Sequence, residues 1–552
     1  MRLTSRRNFL CETAATGLVL GCAPISLRSE ETMRKAPFKV LFGNDTTHIE
    51  SCPSPIKKRG EPFTEGHLRA AVAETAGKGI DVHLLQPGLG WVPWWQSEVV
   101  PMRQHVAWLK SQGNKPNVFE TYVLNGGDLV QVFIDACRKC GETPFISVRL
   151  NDAHHIYRGG RAKPEAREKA LSEFQFFADH PDCRIGPDAE GDERMQYMLD
   201  WGRAEVRDYK LKLIEELCRK YDFEGLELDF MRHWIFFNLK KTTAEQRRAI
   251  QLDFVRQVRQ ILDQNTKPGQ HRWLCVRVPS YAETYDATGI DLSAFAQAGV
   301  DMVNASSHYF TDCQLELAAM RRQLPASVAL YAEVQYVSAT AQKIPDPNSK
   351  NLITVNRRTT PTQFNTVAHQ AYAQGADGIS AFNFQYYRGT YSPTDVYGEP
   401  AEPPYDVFRR LSDRTWLAQQ PQDYFIGQGQ GHPKKTGRPF QESVAPGTPV
   451  TQMLFLAPPE GGWRQAGRLR IQARASLEKS RWSATINGSA LEPSADVTEP
   501  YSNPYPVGLG KPEDYRAWTV PVSVLKAGPN RIELRLDAGK PVQVTFLDLA
   551  LK

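Results

Sequence analysis

Between residues 38 and 388, eight short β-branched runs alternate with amphipathic stretches, and that alternation constrains the fold more than any other feature of the chain. The runs lie at 39–44, 81–86, 144–151, 225–230, 273–279, 302–308, 328–334 and 378–384. Between them, apolar residues at helical spacing predict helices over 65–76, 127–140, 202–220, 244–262 and 361–374. Glycine stops precede several runs, as in Lys78-Gly79-Ile80, Lys139-Cys140-Gly141, Ala298-Gly299-Val300 and Gly375-Ala376-Asp377. Strands that follow helices in this way pair in parallel, and eight repeats make a (β/α)8 barrel. A doubly wound open sheet is the alternative. The first run ends in Gly43-Asn44-Asp45, which is not the glycine fingerprint of a nucleotide-binding turn.

The barrel reading occupies residues 36–418. A glutamine-, glycine- and proline-rich stretch, 419–442, reads as a linker or a loop on the barrel edge. From 443 to 552 the helical spacing disappears. Period-two alternation returns at 467–473, 482–486, 518–522, 530–536 and 542–551, broken by turns such as Asn487-Gly488. This predicts an antiparallel, jelly-roll-like β-sandwich, so the expected class is α/β, a TIM barrel followed by a sandwich.

Residues 1–35 read as an export signal and short linker. Ser5-Arg6-Arg7-Asn8-Phe9-Leu10 has the form of a twin-arginine signal ahead of a short apolar run, too brief for a membrane span. Val19-Leu20-Gly21-Cys22 resembles a lipoprotein box, in which lipidation of Cys22 would tether the chain to a membrane. The expected location is therefore periplasmic, membrane-anchored or extracellular. A formal charge of +5 on 552 residues, without a basic block, gives no reason to expect nucleic acid as a partner. The nine cysteines are scattered and suggest no disulfide framework. Cys137 and Cys140 make a lone C-x-x-C, which lacks the second ligand pair of a zinc site and reads as structural. No metal and no cofactor are expected, and the oligomeric state is left open.

In a barrel of this kind, chemistry sits at the carboxyl ends of the strands. The fourth run, Gly225-Leu226-Glu227-Leu228-Asp229-Phe230-Met231-Arg232, places Glu227 and Asp229 on one face and two leucines on the other. Two acids directed into a barrel are costly unless paired or used. Arg149 and Arg277 on the flanking strands are expected beside Glu227, holding it ionised as an orienting group and leaving Asp229 as the better catalytic candidate. Glu333, on the seventh strand, faces the fourth across the mouth. Two carboxylates about 5–10 Å apart suit a glycosidic bond between them, although Glu333 could equally pair with an arginine. Arg232, His155, His308, Asn151 and Asp45 supply polar groups around the same opening, and Trp94, Trp95, Tyr281 and Tyr386 supply rings suited to sugar faces. His154, His155 and Asp152 do not complete a metal ligand set.

The Gly-Leu-x-Leu-Asp-Phe-x-Arg string at 225–232 resembles the fourth-strand signature of glycosyl-hydrolase-like 10 proteins. That resemblance implies functional weight for Asp229, Phe230 and Arg232. The strand is also similar to that of family-18 chitinases, whose acid two positions beyond the aspartate is Met231 here. In the large clan with acid/base on strand four and nucleophile on strand seven, Glu333 matches by position, whereas the Asn-Glu pair of strand four is missing. The C-terminal region resembles galactose-binding-like accessory modules. Taken with the signal motif and the strand-face reading, the expectation is an exported glycoside hydrolase or hydrolase-like protein acting on an oligo- or polysaccharide, with Asp229, Glu333 and Glu227 as its candidate carboxylates. The alternative is a non-catalytic, glycan-binding surface lipoprotein, in which the sandwich binds sugar or only packs on the barrel.

Overall fold

The computed structural model describes residues 35–154, 174–189, 193–345, 352–391, 400–428, 440, 443–505 and 508–552. The signal reading of 1–35, with Cys22, lies outside the described residues except at Lys35, as does His155. Each of the eight runs forms a strand: β1 (Val40–Asn44), β2 (Val82–Leu85), β3 (Thr143–Arg149), β4 (Gly225–Asp229), β5 (Trp273–Pro279), β6 (Met302–Ser306), β7 (Ala329–Gln335) and, after an inserted hairpin, β10 (Gly378–Phe382). All pair in parallel and close into a barrel in the order β1-β10-β7-β6-β5-β4-β3-β2. The molecule is thus an α/β protein with a closed eight-stranded barrel, followed by antiparallel sheets.

Local chemistry sets the element ends. Asp128 caps the helix Leu129–Cys140 by accepting from Val130 N and Gln131 N, and Gly141 ends it at φ 76°, a left-handed turn that glycine enters without steric cost. Thr360 and Gln363 form a capping box around Pro361 at the start of Pro361–Ala373.

The barrel interior is layered. At the amino-terminal end Leu41, Val82, Phe145, Trp273, Met302 and Tyr331 form a dry plug, with Phe38 packed beneath. Gly225 makes this possible, because a Cβ there would lie 2.3 Å from the Phe145 ring. Toward the carboxyl end the lining becomes polar, with Ser147, Glu227, Asn304 and Glu333 around a small cavity.

The hairpin β8 (Val337–Pro345) with β9 (Leu352–Arg358) was not foreseen from the sequence. The stretch read as a linker also departs from expectation. Gln422–Gly427 is a strand, β11, paired with β19 (Val544–Leu551), because Tyr424, Phe425 and Ile426 bury their side chains there. In the five-stranded sheet β19 is followed by β13 (Gly467–Ala473), β17 (Tyr515–Val520) and β16 (Glu492–Ser494). A four-stranded sheet contains β12 (Val450–Leu456), β18 (Gly528–Ala538), β14 (Arg481–Ile486) and β15 (Ser489–Ala490). Gln370 Nε2 on the helix Pro361–Ala373 donates to Phe455 O (2.6 Å), and Arg357 on β9 reaches Gln472 Oε1 (3.1 Å) and Glu499 Oε2 (2.9 Å). These bonds join the sandwich to the barrel. The seven described cysteines are all free thiols, six of them buried. No helix among the described residues is long and apolar enough to cross a membrane.

Candidate active site

The barrel stagger decides which charges meet. Arg149 and Arg277 stand beside Asp229, whereas Ser147 and Cys275 stand beside Glu227. The expected flanking of Glu227 by arginines is therefore displaced by two residues. Asp229 Oδ1 accepts from Arg277 Nη1 (3.0 Å), Met231 N (2.8 Å) and Arg232 N (3.2 Å). Among the described residues its Oδ2 accepts from Gln86 Nε2 alone, at 3.4 Å.

Glu333 is more tightly held. Its Oε1 accepts from Arg277 Nη2 (2.7 Å), Ser306 Oγ (2.6 Å) and Gln335 Nε2 (2.6 Å). Its Oε2 accepts from Arg277 Nε (2.5 Å) and Asn304 Nδ2 (3.3 Å). Arg277 thus bridges the two acids, with its guanidinium 4.4 Å from the Phe382 ring centre. Burial opposes the charge of Arg277, but Glu333 and Asp229 outweigh it and hold the group protonated.

Glu227 lies one layer deeper, accepting from Ser147 Oγ (2.8 Å) and Asn304 Nδ2 (3.2 Å). Burial, and then the charge of Asp229, push its carboxyl up to about 7. It is not held ionised, which reverses the sequence reading: without a flanking arginine, desolvation dominates.

A second chain of charges runs beside the first. Arg149 binds Asp45 Oδ2 (3.0 Å) and Asp152 Oδ2 (3.0 Å), Asp152 Oδ1 holds His154 Nδ1 (2.7 Å), and His154 Nε2 lies 2.8 Å from Arg232 Nη2. Burial works against ionised Asp45, but Arg149, Arg232 and His154 overcome it and hold the carboxyl far below its ordinary range. Burial pulls His154 below its usual value.

Part-exposed side chains cap this interior: Arg232, His233, Trp234, His308 and Tyr309. The Arg232 guanidinium lies 5.1 Å from the Tyr309 ring centre, and Trp234 meets His308 edge-on at 5.0 Å. His233, His308 and Asn383 have φ of 68°, 69° and 60°, left-handed conformations unusual for such residues. They follow the ends of β4, β6 and β10, and backbone strain of this kind collects at functional sites. His233, Trp234, Gln86 and Asn304 escape sequence reasoning. The Met231-Arg232-His233-Trp234 loop carries no periodicity, and positive φ at histidine has no sequence signature.

Several expected sugar contacts are displaced. Trp94 is buried and stacks on Phe119 at 4.3 Å, and Trp95 is buried with Nε1 donating to Glu216 Oε2 (2.9 Å). Both fill the layer behind the barrel wall. Tyr281 is buried against Asp312, to which its hydroxyl donates. Asn151 is also buried, its amide donating to Ile235 O (2.6 Å) and Leu199 O (3.1 Å), and Asp45 is committed to Arg149. Tyr386 is half-buried and stacks on Tyr336 at 5.5 Å. Of the expected binding groups, Arg232 and His308 lie part-exposed at the mouth.

No family model matches the chain, and no curated protein matches it. Among solved structures it is similar to a bacterial fucosidase crystallised with an inhibitor, at 11% identity over 91% of this chain and 93% of that one, TM-score 0.34. It is similar to alpha-L-fucosidase isoenzyme 2 from Paenibacillus thiaminolyticus, at 10% identity over 69% of this chain and 49% of that one, TM-score 0.38. A GH36 alpha-galactosidase from Geobacillus stearothermophilus is matched at 12% identity over 94% of this chain and 56% of that one, TM-score 0.35. The chain spans about half the length of these last two proteins.

Proposed function

We propose that the chain is an exported glycoside hydrolase or hydrolase-like protein that acts on an oligo- or polysaccharide at the carboxyl end of the barrel. The observation that carries this reading is the unequal bonding of Asp229. Among the described residues one oxygen is anchored by three donors, while the other makes a single long contact beneath the part-exposed mouth. An anchored, arginine-paired carboxylate with one oxygen lightly engaged is suited to attack an anomeric carbon or to stabilise its developing positive charge.

Glu333 then acts through Arg277 as a positioning residue, since its own oxygens already accept five hydrogen bonds. Asp152 orients His154, whose side chain is about a quarter exposed and whose Nε2 accepts from Arg232 Nη2, so that the pair holds the Arg232 guanidinium at the mouth. Arg232, His308 and Trp234 contact the sugar.

Hydrolysis of a glycan panel, read as released reducing sugar, tests the proposal. Turnover by wild type that is lost in Asp229→Asn supports it, and turnover retained by that variant removes Asp229 from the mechanism. A second reading has its own observation: Asp229 and Glu333 are both fully enclosed and shared by one arginine, as in a purely structural ion pair. Glycan binding without released sugar at any pH favours that non-catalytic binder. Export belongs to the same proposal and rests on the motif at 5–10. Replacing Arg6 and Arg7 with lysine should retain the protein in the cytoplasm, and Cys22→Ser should abolish labelling by a lipid precursor if Cys22 is the anchor.

A further inference from the structure

Three metal-ligating side chains converge outside the barrel interior. His83 projects from β2 on the face opposite Val82 and Leu84, Cys137 lies in the last turn of Leu129–Cys140, and Glu142 follows the Gly141 stop. One donor atom from each lies within 4.8 Å of the others, and all three residues are buried. His83 Nδ1 is 2.9 Å from Glu142 Oε2, and the Thr75 hydroxyl is 3.3 Å from the same oxygen. Phe42 and Phe133 close the surroundings, with ring centres 5.1 and 5.4 Å from the imidazole.

An independent observation points to a missing partner. Glu142 Oε1 is buried and has no hydrogen bond among the described residues. An unsatisfied carboxylate oxygen in such surroundings is costly, and native proteins seldom leave one.

We propose that His83, Cys137 and Glu142 hold a structural Zn2+ ion that ties β2, the helix and the start of β3 together. A nitrogen, a thiolate and a carboxylate are the donors a borderline cation such as Zn2+ takes. Binding moves the Cys137 thiol proton to solvent and involves no change of oxidation state. Thiolate and carboxylate together balance the two positive charges, so the filled site is neutral inside an apolar shell. Glu142 Oε1 supplies a fourth donor, which closes the coordination and makes the site structural rather than catalytic. Bonds of about 2.0–2.3 Å place ligand atoms within about 4 Å of each other, so the side chains close by roughly an ångström. The sequence reading missed this because the C-x-x-C invites a search for a second cysteine pair. The partners are a strand histidine 54 positions earlier and a glutamate five positions later.

Metal analysis of the full chain, dialysed against Zn2+ and then against buffer, should find one ion per molecule. Co2+ in its place should give a thiolate-to-cobalt charge-transfer absorption. Cys137→Ser should lose that absorption and weaken Zn2+ binding about tenfold or more, whereas Cys140→Ser should keep both. Absence of the absorption in wild type overturns the proposal, as does its loss in Cys140→Ser with retention in Cys137→Ser. If Cys137→Ser fails to fold, the wild-type and Cys140→Ser spectra decide alone. Glycan hydrolysis does not enter the test, so its outcome is independent of the activity proposed above.

Discussion

Asp229 and Glu227 share a strand face but differ in their counter-charges, and two predictions follow from that difference. Asp229→Asn preserves shape while removing the anion, so hydrolysis should fall roughly 10²–10⁴-fold with little change in the thermal midpoint, read by reducing-sugar release and calorimetry. Among the described residues Glu227 has no ion pair, and burial and Asp229 outweigh the more distant Arg277 to raise it from 4.5 to about 7. The sign is therefore that of a destabilising charge. Below about pH 4 the group is protonated whether folded or unfolded and costs nothing. Between about pH 4 and 7 the unfolded chain releases its proton while the folded chain keeps it, and stability is progressively lost. Above pH 7 the whole loss, of order 3 kcal/mol, is present. Glu227→Gln should therefore match wild type near pH 4 and unfold at a higher denaturant concentration at pH 8. A third prediction concerns His154. Its Nε2 accepts from Arg232 Nη2 while Nδ1 is held by Asp152, so removing the ring releases the guanidinium from its place at the mouth. His154→Ala should raise KM for a hydrolysed glycan more than it lowers kcat, read by steady-state kinetics.

Elements were more legible in the sequence than the contacts between them. All eight barrel strands fall within about two residues of their β-branched runs, because a parallel strand buries both faces and glycine stops mark its approach. Stagger was not legible: it depends on how neighbouring strands slide, and a two-residue shift moved both arginines from Glu227 to Asp229. Trp94 and Trp95 show the same limit, since an aromatic in a strand-end loop reads alike whether it turns inward or outward. β11 was hidden because glutamines and glycines surround its Tyr-Phe-Ile centre. At this scale Asp128→Ala should cost about 1–2 kcal/mol in a urea titration, because it removes a two-bond helix cap and the acceptor for the Tyr221 hydroxyl. Gly225→Ala should cost at least as much, since its methyl meets the Phe145 ring.

For the whole molecule, residues from Lys35 to Lys552 form one compact unit. Arg470 pairs with Asp548 through three contacts of 2.6–3.1 Å, and Glu499 links both Arg470 and Arg357 of the barrel hairpin. Barrel and sandwich should therefore melt together, in one calorimetric transition rather than two. A chain ending at 418 exposes the helix face that β11 covers and should be recovered as aggregate in size-exclusion chromatography.

The guanidinium shared by Asp229 and Glu333 also bears on how such a chain can change over generations. Substituting Arg277 alone strands two enclosed acids. Substituting either acid alone leaves the arginine with a single counter-ion. Positions 229, 277 and 333 are therefore expected to change as a set, so that a relative departing at one of them departs at another.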